Sequence, residues 1–498
     1  MSGTPRHGRI RRRGDEPTRL VEGQRILSSE ECDEIFRRVV SFAKGGGETA
    51  VGISSWWQGE LRWARNRVSL ASDRRNNSVR VQRTIHNGQQ RSVTTNQLDD
   101  RSLEAAVRAA ERASAMGSSM GREIASYPNP KLPVYQRPEG AIWSDATYAL
   151  TTERRGEVVR SLIAPAEAKG MLSAGYLEVR AASSASLDNM LPQLRSGEHA
   201  YWEEPYNAWT QAHCSTTVRD QKGLGSGWAG LSSFDWATID AASLAARALE
   251  KCLASQNPVA LEPGRYTVIL EPEAVADFME ILVTTFSSRE IPEGGDPSPW
   301  LLGRDDATGL WRSKLGLKVV DERVTISHAA ADPALGIVAS HTEQPGEVTF
   351  IDHGVLTALG HMLSTDIALL RGSHHLRGAT GYRMSGGETS VEEMIRTTKR
   401  GLLVTRLSNI RRLDVTSLLS SGLTRDGLWL VENGKITKAV KNFRFTESPL
   451  FMLNSIEQLG TPVRVFRPTR GEGGALTPAI VPPLKVRDFS FASTIDAI

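Results

Sequence analysis

The residues able to do chemistry are thinly spread along this chain of 498 residues, which has ten histidines and three cysteines. The densest histidine group is His353, His361, His374 and His375, with Asp352 and Asp366 nearby. A metal ion needs imidazoles that converge on one point. Adjacent histidines cannot easily aim at one ion, and this region reads as strand and loop rather than one helical face, so ordinary surface or hydrogen-bonded histidines are expected. No Gly-x-Ser-x-Gly elbow supports a nucleophilic serine. Gly225-Ser226-Gly227 lies in the Gly-rich stretch 223–230 and reads as a flexible linker. Glu271 and Glu273 flank Pro272 at a helix start, where carboxylates interact favourably with the helix dipole; that role is expected rather than a catalytic dyad. Gly386-Gly387-Glu388 reads as a structural turn before a helix at Val391–Thr398. Trp56, Trp57, Trp202 and Trp209 are expected to anchor cores or interfaces.

The elements that must position these residues fall into two textures. Ser28 and Glu31 have capping-box spacing, and Ile35, Phe36, Val39, Val40 and Ala43 recur at helical intervals until Gly45-Gly46-Gly47. A strand over Thr49–Ile53 is predicted next. Then comes a hairpin in which Val79, Val81 and Ile85 lead through Asn87-Gly88 to Val93. Asp99 or Asp100 caps a helix through Leu103, Val107 and Ala110. A loop over 127–140, a helix from Thr151-Thr152 to Lys169, strand-like pieces at Tyr176–Val179 and Tyr201–Trp209, and an Ala-rich helix over 235–255 complete the first part. After Asn257-Pro258 the chain reads differently. Tyr266–Leu270 is an apolar strand, and a helix over Pro272–Phe286 follows. Short strand candidates then recur at Leu317–Val320, Val324–Ile326, Val348–Ile351, Gly401–Leu407, Leu428–Val431 and Ile436–Val440, with a tight turn at Asn433-Gly434.

The expected class is therefore α+β. A basic disordered tail occupies 1–25, an α/β domain 26–258, and a β-rich, barrel- or sandwich-like domain 259–498. The net charge of +3 does not suggest a nucleic-acid partner. The arginines at 6, 9, 11, 12, 13 and 19 read as a solvated tail, and no apolar segment follows Arg11-Arg12 to make a signal peptide. No run is apolar enough to span a membrane. Cys32, Cys214 and Cys252 lie far apart with no CxxC pair, which fits a reducing cytoplasm.

Several segments, in order, resemble the TldD/PmbA (TldE) family of peptidase subunits. They are Ser78–Val81 through Asn87-Gly88 to Thr95–Asp99, Pro263–Ala274, Gly401–Thr405, Gly427–Trp429 with Glu432–Ile436, Val440–Phe445 and Asn454–Glu457. The resemblance runs from about residue 28 to the C-terminus. It implies an α/β domain before a β-rich one, a heterodimer, and proteolysis of unfolded peptides in a chamber between subunits. In the catalytic TldD-type subunit, a His-Glu-x-x-x-His motif on the helix after the strand matching Tyr266–Leu270, with a cysteine near the C-terminus, holds zinc.

This sequence departs from that pattern. The counterpart of the motif is Glu280 to Thr285, which contains no histidine, and no His-Glu pair occurs anywhere in the chain. Hydrolytic zinc normally takes three protein ligands and an open water position. The last cysteine, Cys252, precedes the helix. The expectation is a PmbA-type, non-catalytic subunit with no metal or catalytic residue of its own, zinc being held by a TldD-like partner. Peptide would pair with strand edges, for which Gly401–Leu407 and Leu428–Val431 are the candidates. The rival expectations are an active metal-dependent hydrolase with relocated ligands, and a binding module modulating DNA gyrase.

Overall fold

The computed structural model describes residues 26–44, 48–85, 89–115, 142–189, 204–222, 224–286, 298–304, 311–329, 335, 347–361, 373–375, 381–467, 469–470, 474–475 and 478–495. The basic tail, the Asn87-Gly88 turn, the 127–140 stretch, Trp202 and Asp366 lie outside these residues.

The first half is built on one antiparallel sheet. Its strands are β1 (Glu48–Ala64), β2 (Arg67–Ile85), β3 (Gln89–Thr95), β4 (Leu172–Asn189), β5 (Glu204–Arg219) and β6 (Ser226–Ser233), in the order β3-β2-β1-β4-β5-β6. The strands are far longer than their sequence signals. Thr49–Ile53 is only the first part of β1, and the β1–β2 hairpin turns at Arg65-Asn66, both at positive φ. Helices cover one face. They are α1 (Ser29–Phe42), α2 (Asp100–Ala115), the single turn α3 (Asp145–Tyr148), α4 (Thr152–Glu167) and α5 (Ala241–Ala254). The Ser28/Glu31 capping box forms in full at α1, and Asp99 Oδ1 accepts the Ser102 amide at the start of α2. Odd-numbered residues of β1 and β4, among them Trp57, Leu61, Trp63, Leu177 and Val179, are buried under α4 and α5.

Gly225-Ser226-Gly227 is not a linker. Ser226 begins β6, and an added Cβ on Gly227 would lie 2.2 Å from the Ala248 carbonyl of α5. The glycines let helix backbone approach strand backbone, which a linker reading based on composition alone could not anticipate.

In the second half β7 (Gly264–Leu270) leads into α6 (Pro272–Val283). β7 pairs in parallel with Arg400–Arg412 and antiparallel with Leu484–Thr494. Phe443–Glu447 and Ser420–Glu432 complete the circuit, and Ser420–Glu432 pairs back onto Arg400–Arg412. Five strands thus close a barrel, which removes sheet edges over the closed stretch. Two short helices, α7 (Val391–Arg396) and α8 (Pro449–Asn454), flank it. A second sheet contains Glu347–Asp352, Ile326–Ala329, Tyr382–Met384 and Ala479–Val481. Leu317–Val320 forms no strand, only an isolated bridge from Lys318 to Val355. Asn433-Gly434 makes the expected turn, both residues at positive φ.

The barrel overturns both expected peptide-binding edges. Gly401–Val404 lies between β7 and Ser420–Glu432, and past an irregularity at Thr405 the strand is paired on one side at Arg406 and Leu407, with the Leu407 amide on the other donating to Asp277. Leu428–Val431 is enclosed by Arg400–Arg412 and Lys435–Ala439. Apolar strands that look alike in sequence can be edge or interior, and closure put these inside. No described helix is long and apolar enough to cross a membrane.

Candidate functional site

Helix α6 is apolar on most of its surface, with Ala274, Val275, Ala276, Phe278, Met279, Leu282 and Val283 all buried. A helix buried on every side is a core element. One stripe breaks the pattern. Glu273, Asp277 and Glu280 stand four and three residues apart, the spacing that stacks side chains on one helical face.

A cation from a distant part of the chain meets this stripe. Arg467 is 4% exposed, and its Nη1 lies 2.9 Å from Asp277 Oδ1 and 3.6 Å from Glu273 Oε1. The Phe466 amide donates to Glu273 Oε2 at 3.0 Å, and the Leu407 amide to Asp277 Oδ2 at 3.2 Å. Arg406 adds a second guanidinium, 3.9 Å from Asp277 and 3.7 Å from Asp426, lying 4.2 Å over the Trp228 ring. The cluster also fastens the two halves together. The Arg467 amide donates to Ser232 Oγ of β6 at 2.8 Å, and Ser226 Oγ donates to Asp426 Oδ1 at 2.9 Å.

Burial pushes the Glu273 carboxyl up to about 7, with Arg467 opposing and Asp277 reinforcing the rise. Burial also weakens ionisation of the Arg467 guanidinium, but Asp277 and Glu273 more than offset it, so that Arg467 stays charged. Tyr382 is buried beside the group, and desolvation raises its phenol. Of the fourteen buried polar side-chain atoms without a hydrogen-bond partner among the described residues, seven belong to Glu273, Tyr382, Thr405, Arg406, Asp426 and Arg467. Native interiors leave few such atoms, and a concentration of them marks a candidate site.

The two residues that the family motif singles out are not brought together. Glu280 is half-buried at the end of the acidic stripe, near enough to Tyr382 to reinforce its raised pKa. Thr285 lies beyond the last turn of α6. Its hydroxyl donates to the Leu282 carbonyl at 2.6 Å and accepts from Trp300 Nε1 at 3.0 Å. Among the described residues no three His, Cys, Asp or Glu side chains are grouped to hold a metal ion. His353 is an exposed turn residue at positive φ, bonded to Asp352. His361 and His375 are register partners in the backbone of a short parallel strand pair. The three cysteines are free and buried.

Zinc does not fit here. The stripe offers carboxylates alone, and Glu273 and Asp277 are already engaged by a guanidinium and two backbone amides. Sequence reading passed over Arg467, Arg406 and Tyr382. The available signal was the acidic stripe on an otherwise apolar helix, which requires a buried counter-charge.

Residues 263–493 match the family model described as the PmbA/TldA metallopeptidase C-terminal domain. No curated protein matches the chain by sequence. Several solved structures share its fold, three of them as follows. One is a candidate modulator of a DNA gyrase from Thermotoga maritima, at 16% identity and TM-score 0.70, covering 93% of this chain and 100% of that one. TldE from Thermococcus kodakarensis matches at 15% identity and TM-score 0.70 over the same shares. A candidate modulator of DNA gyrase from Bacteroides thetaiotaomicron matches at 15% and 0.68, covering 93% and 99%.

Proposed function

We infer that this chain, which belongs to the TldD/PmbA family through its C-terminal domain, is the non-catalytic subunit of a peptidase acting on unfolded peptides. The observation that carries the reading is the occupancy of α6. Where a hydrolytic helix would present metal ligands, this one presents carboxylates neutralised by Arg467. A guanidinium cannot lower the pKa of a water as a bound metal does, so it supplies the charge of a cation without its chemistry. The chain's own contribution is a rigid seam between its halves and a polar wall beside it. The catalytic metal, zinc, is assigned to a TldD-like partner.

Co-expression with a subunit bearing the His-Glu-x-x-x-His motif tests this. The two should co-purify, zinc should follow the partner, and hydrolysis of an unfolded peptide should need the partner's motif. Stoichiometric zinc on this chain alone, with hydrolysis abolished by Glu280→Ala, would overturn the reading in favour of relocated ligands. Two structural relatives are described as candidate modulators of DNA gyrase, which supports a second reading as a binding module. Capture of gyrase without any zinc-motif partner would favour that alternative.

A further inference from the structure

The two strand edges expected from the sequence lie inside the barrel, but the sheet of the first half keeps one edge open. β3 pairs with β2 only over residues 79–85. Over residues 67–78, β2 pairs with β1 alone. Outside that ladder no backbone N–H or C=O of the stretch has a hydrogen-bond partner among the described residues. In an antiparallel strand every second residue points its N–H and C=O to the same side, so half of these residues present both groups outward. Solvent reaches them. Arg67, Ser69, Ala71, Arg74 and Arg75 are exposed, and Val68 and Leu70 are 51% and 40% exposed. A row of unused backbone groups is a template for a further strand.

The charge along this edge has one sign. Arg67, Arg74 and Arg75 stand on β2, Arg62 of β1 lies opposite Leu70, and Arg65 is in the β1–β2 turn. The carboxylates beside them are already engaged. Glu60 is buried and shared by Arg62 and Arg74, whose side chains are 58% and 59% exposed. Asp73 accepts from Trp57 and Thr152 and is paired with the buried Arg155 at 2.5 Å. Among the described residues no carboxylate pairs with Arg65, Arg67 or Arg75.

These guanidiniums decide what can add. A second copy of the edge would set arginine against arginine, and like charges directly opposite destabilise a strand pair. Charged side chains on an edge guard against such self-pairing. The same charge favours a strand of opposite sign, since opposite charges across a strand pair attract. Val68 and Leu70, between the arginines, call for apolar neighbours.

We propose that residues 67–75 of β2 take up an acidic peptide in extended conformation as an added strand, its backbone pairing with the open edge and its carboxylates facing Arg67, Arg74 and Arg75. The proposal rests on the peptide-handling role given above and gives that role a preferred substrate class, acidic unfolded segments.

The test uses the full-length chain and the fluorescein-labelled nonapeptide Glu-Glu-Thr-Thr-Thr-Val-Thr-Val-Glu, with binding read by anisotropy. Antiparallel pairing sets its acids opposite Arg75, Arg74 and Arg67 and its valines opposite Leu70 and Val68. The same peptide with Lys for Glu should not bind. The Arg67→Gln/Arg75→Gln double variant removes two exposed side chains and should weaken binding about fivefold, the scale of two exposed ion pairs. Strand addition has a signature that charge alone lacks. Versions of the peptide N-methylated on the odd or on the even residues should differ in affinity by about tenfold or more, because only one set of N–H groups meets β2. Equal affinity of the two versions would overturn strand addition, as would unchanged affinity in the folded double variant. Tighter binding of a short oligothymidylate than of the peptide, lost in the double variant, would assign the edge to nucleic acid instead. No binding by the wild type, alone or with a zinc-motif partner, would remove the edge as a site. If the co-expressed pair then still hydrolyses an unfolded peptide free of acidic residues, the peptidase reading stands without the edge; if it hydrolyses none, both fall.

Discussion

Replacing Arg467 with Met keeps much of the side-chain volume and removes the cation lodged between Glu273 and Asp277, leaving Arg406 at 3.9 Å from Asp277. Two carboxylates then remain in the interior, of which Glu273 is 7% exposed. Breaking a buried ion pair by deleting one partner costs about 3–5 kcal/mol, chiefly from the charge left behind. The penalty should depend on pH. The Glu273 carboxyl already titrates at about 7 with Arg467 present, and loss of the guanidinium raises it further. If that rise is one to two pH units, the variant should regain roughly 1–1.4 kcal/mol relative to wild type between pH 8 and pH 5.5, at about 1.36 kcal/mol per unit, because at pH 8 the wild-type carboxyl with its pKa of about 7 leaves only one unit to lose. Equilibrium urea unfolding of both proteins at the two pH values measures this. A double variant carrying Glu273→Gln as well should be less destabilised at pH 8 than the sum of the single changes. An Arg467→Met protein within 1 kcal/mol of wild type at pH 8, or one equally destabilised at both pH values, would refute the account of α6 as an acidic stripe neutralised from within.

The remaining expectations are simpler. Glu273 has a folded-state pKa of about 7 against an ordinary 4.5. Its contribution to stability is thus fully present below pH 4.5 and lost as pH rises through 7, on the order of 3 kcal/mol, and unfolding of Glu273→Gln should lack that slope. Thr285→Val leaves Trp300 Nε1 without its acceptor and should cost about 1–3 kcal/mol in chemical unfolding while leaving the metal content of the purified chain unchanged. A methyl on Gly227 would lie 2.2 Å from the Ala248 oxygen and 2.4 Å from the Cys252 nitrogen, so Gly227→Ala should lower the melting temperature by forcing α5 off β6, at about 1–3 kcal/mol.

Local chemistry was legible wherever a few neighbouring residues decide the outcome. The Ser28/Glu31 capping box, the Asn433-Gly434 turn, the Pro272 helix start and the apolar strand Gly264–Leu270 all follow from side chains within a few positions of one another. The missing histidines on α6 are equally a matter of sequence, since zinc needs donor types that no folding can supply. The tertiary structure decided everything that depends on distant partners. Barrel closure turned two apparent edge strands into interior ones, because pairing is set by chain ends far apart in sequence. The close approach of α5 made Gly225-Ser226-Gly227 a packing device rather than a linker. Arg467 reaches Asp277 across 190 residues, and Glu178, His213 and Ser232 share a row only because three strands happen to be in register. A buried charge announces that it needs a counter-charge, but only the fold says which residue provides it.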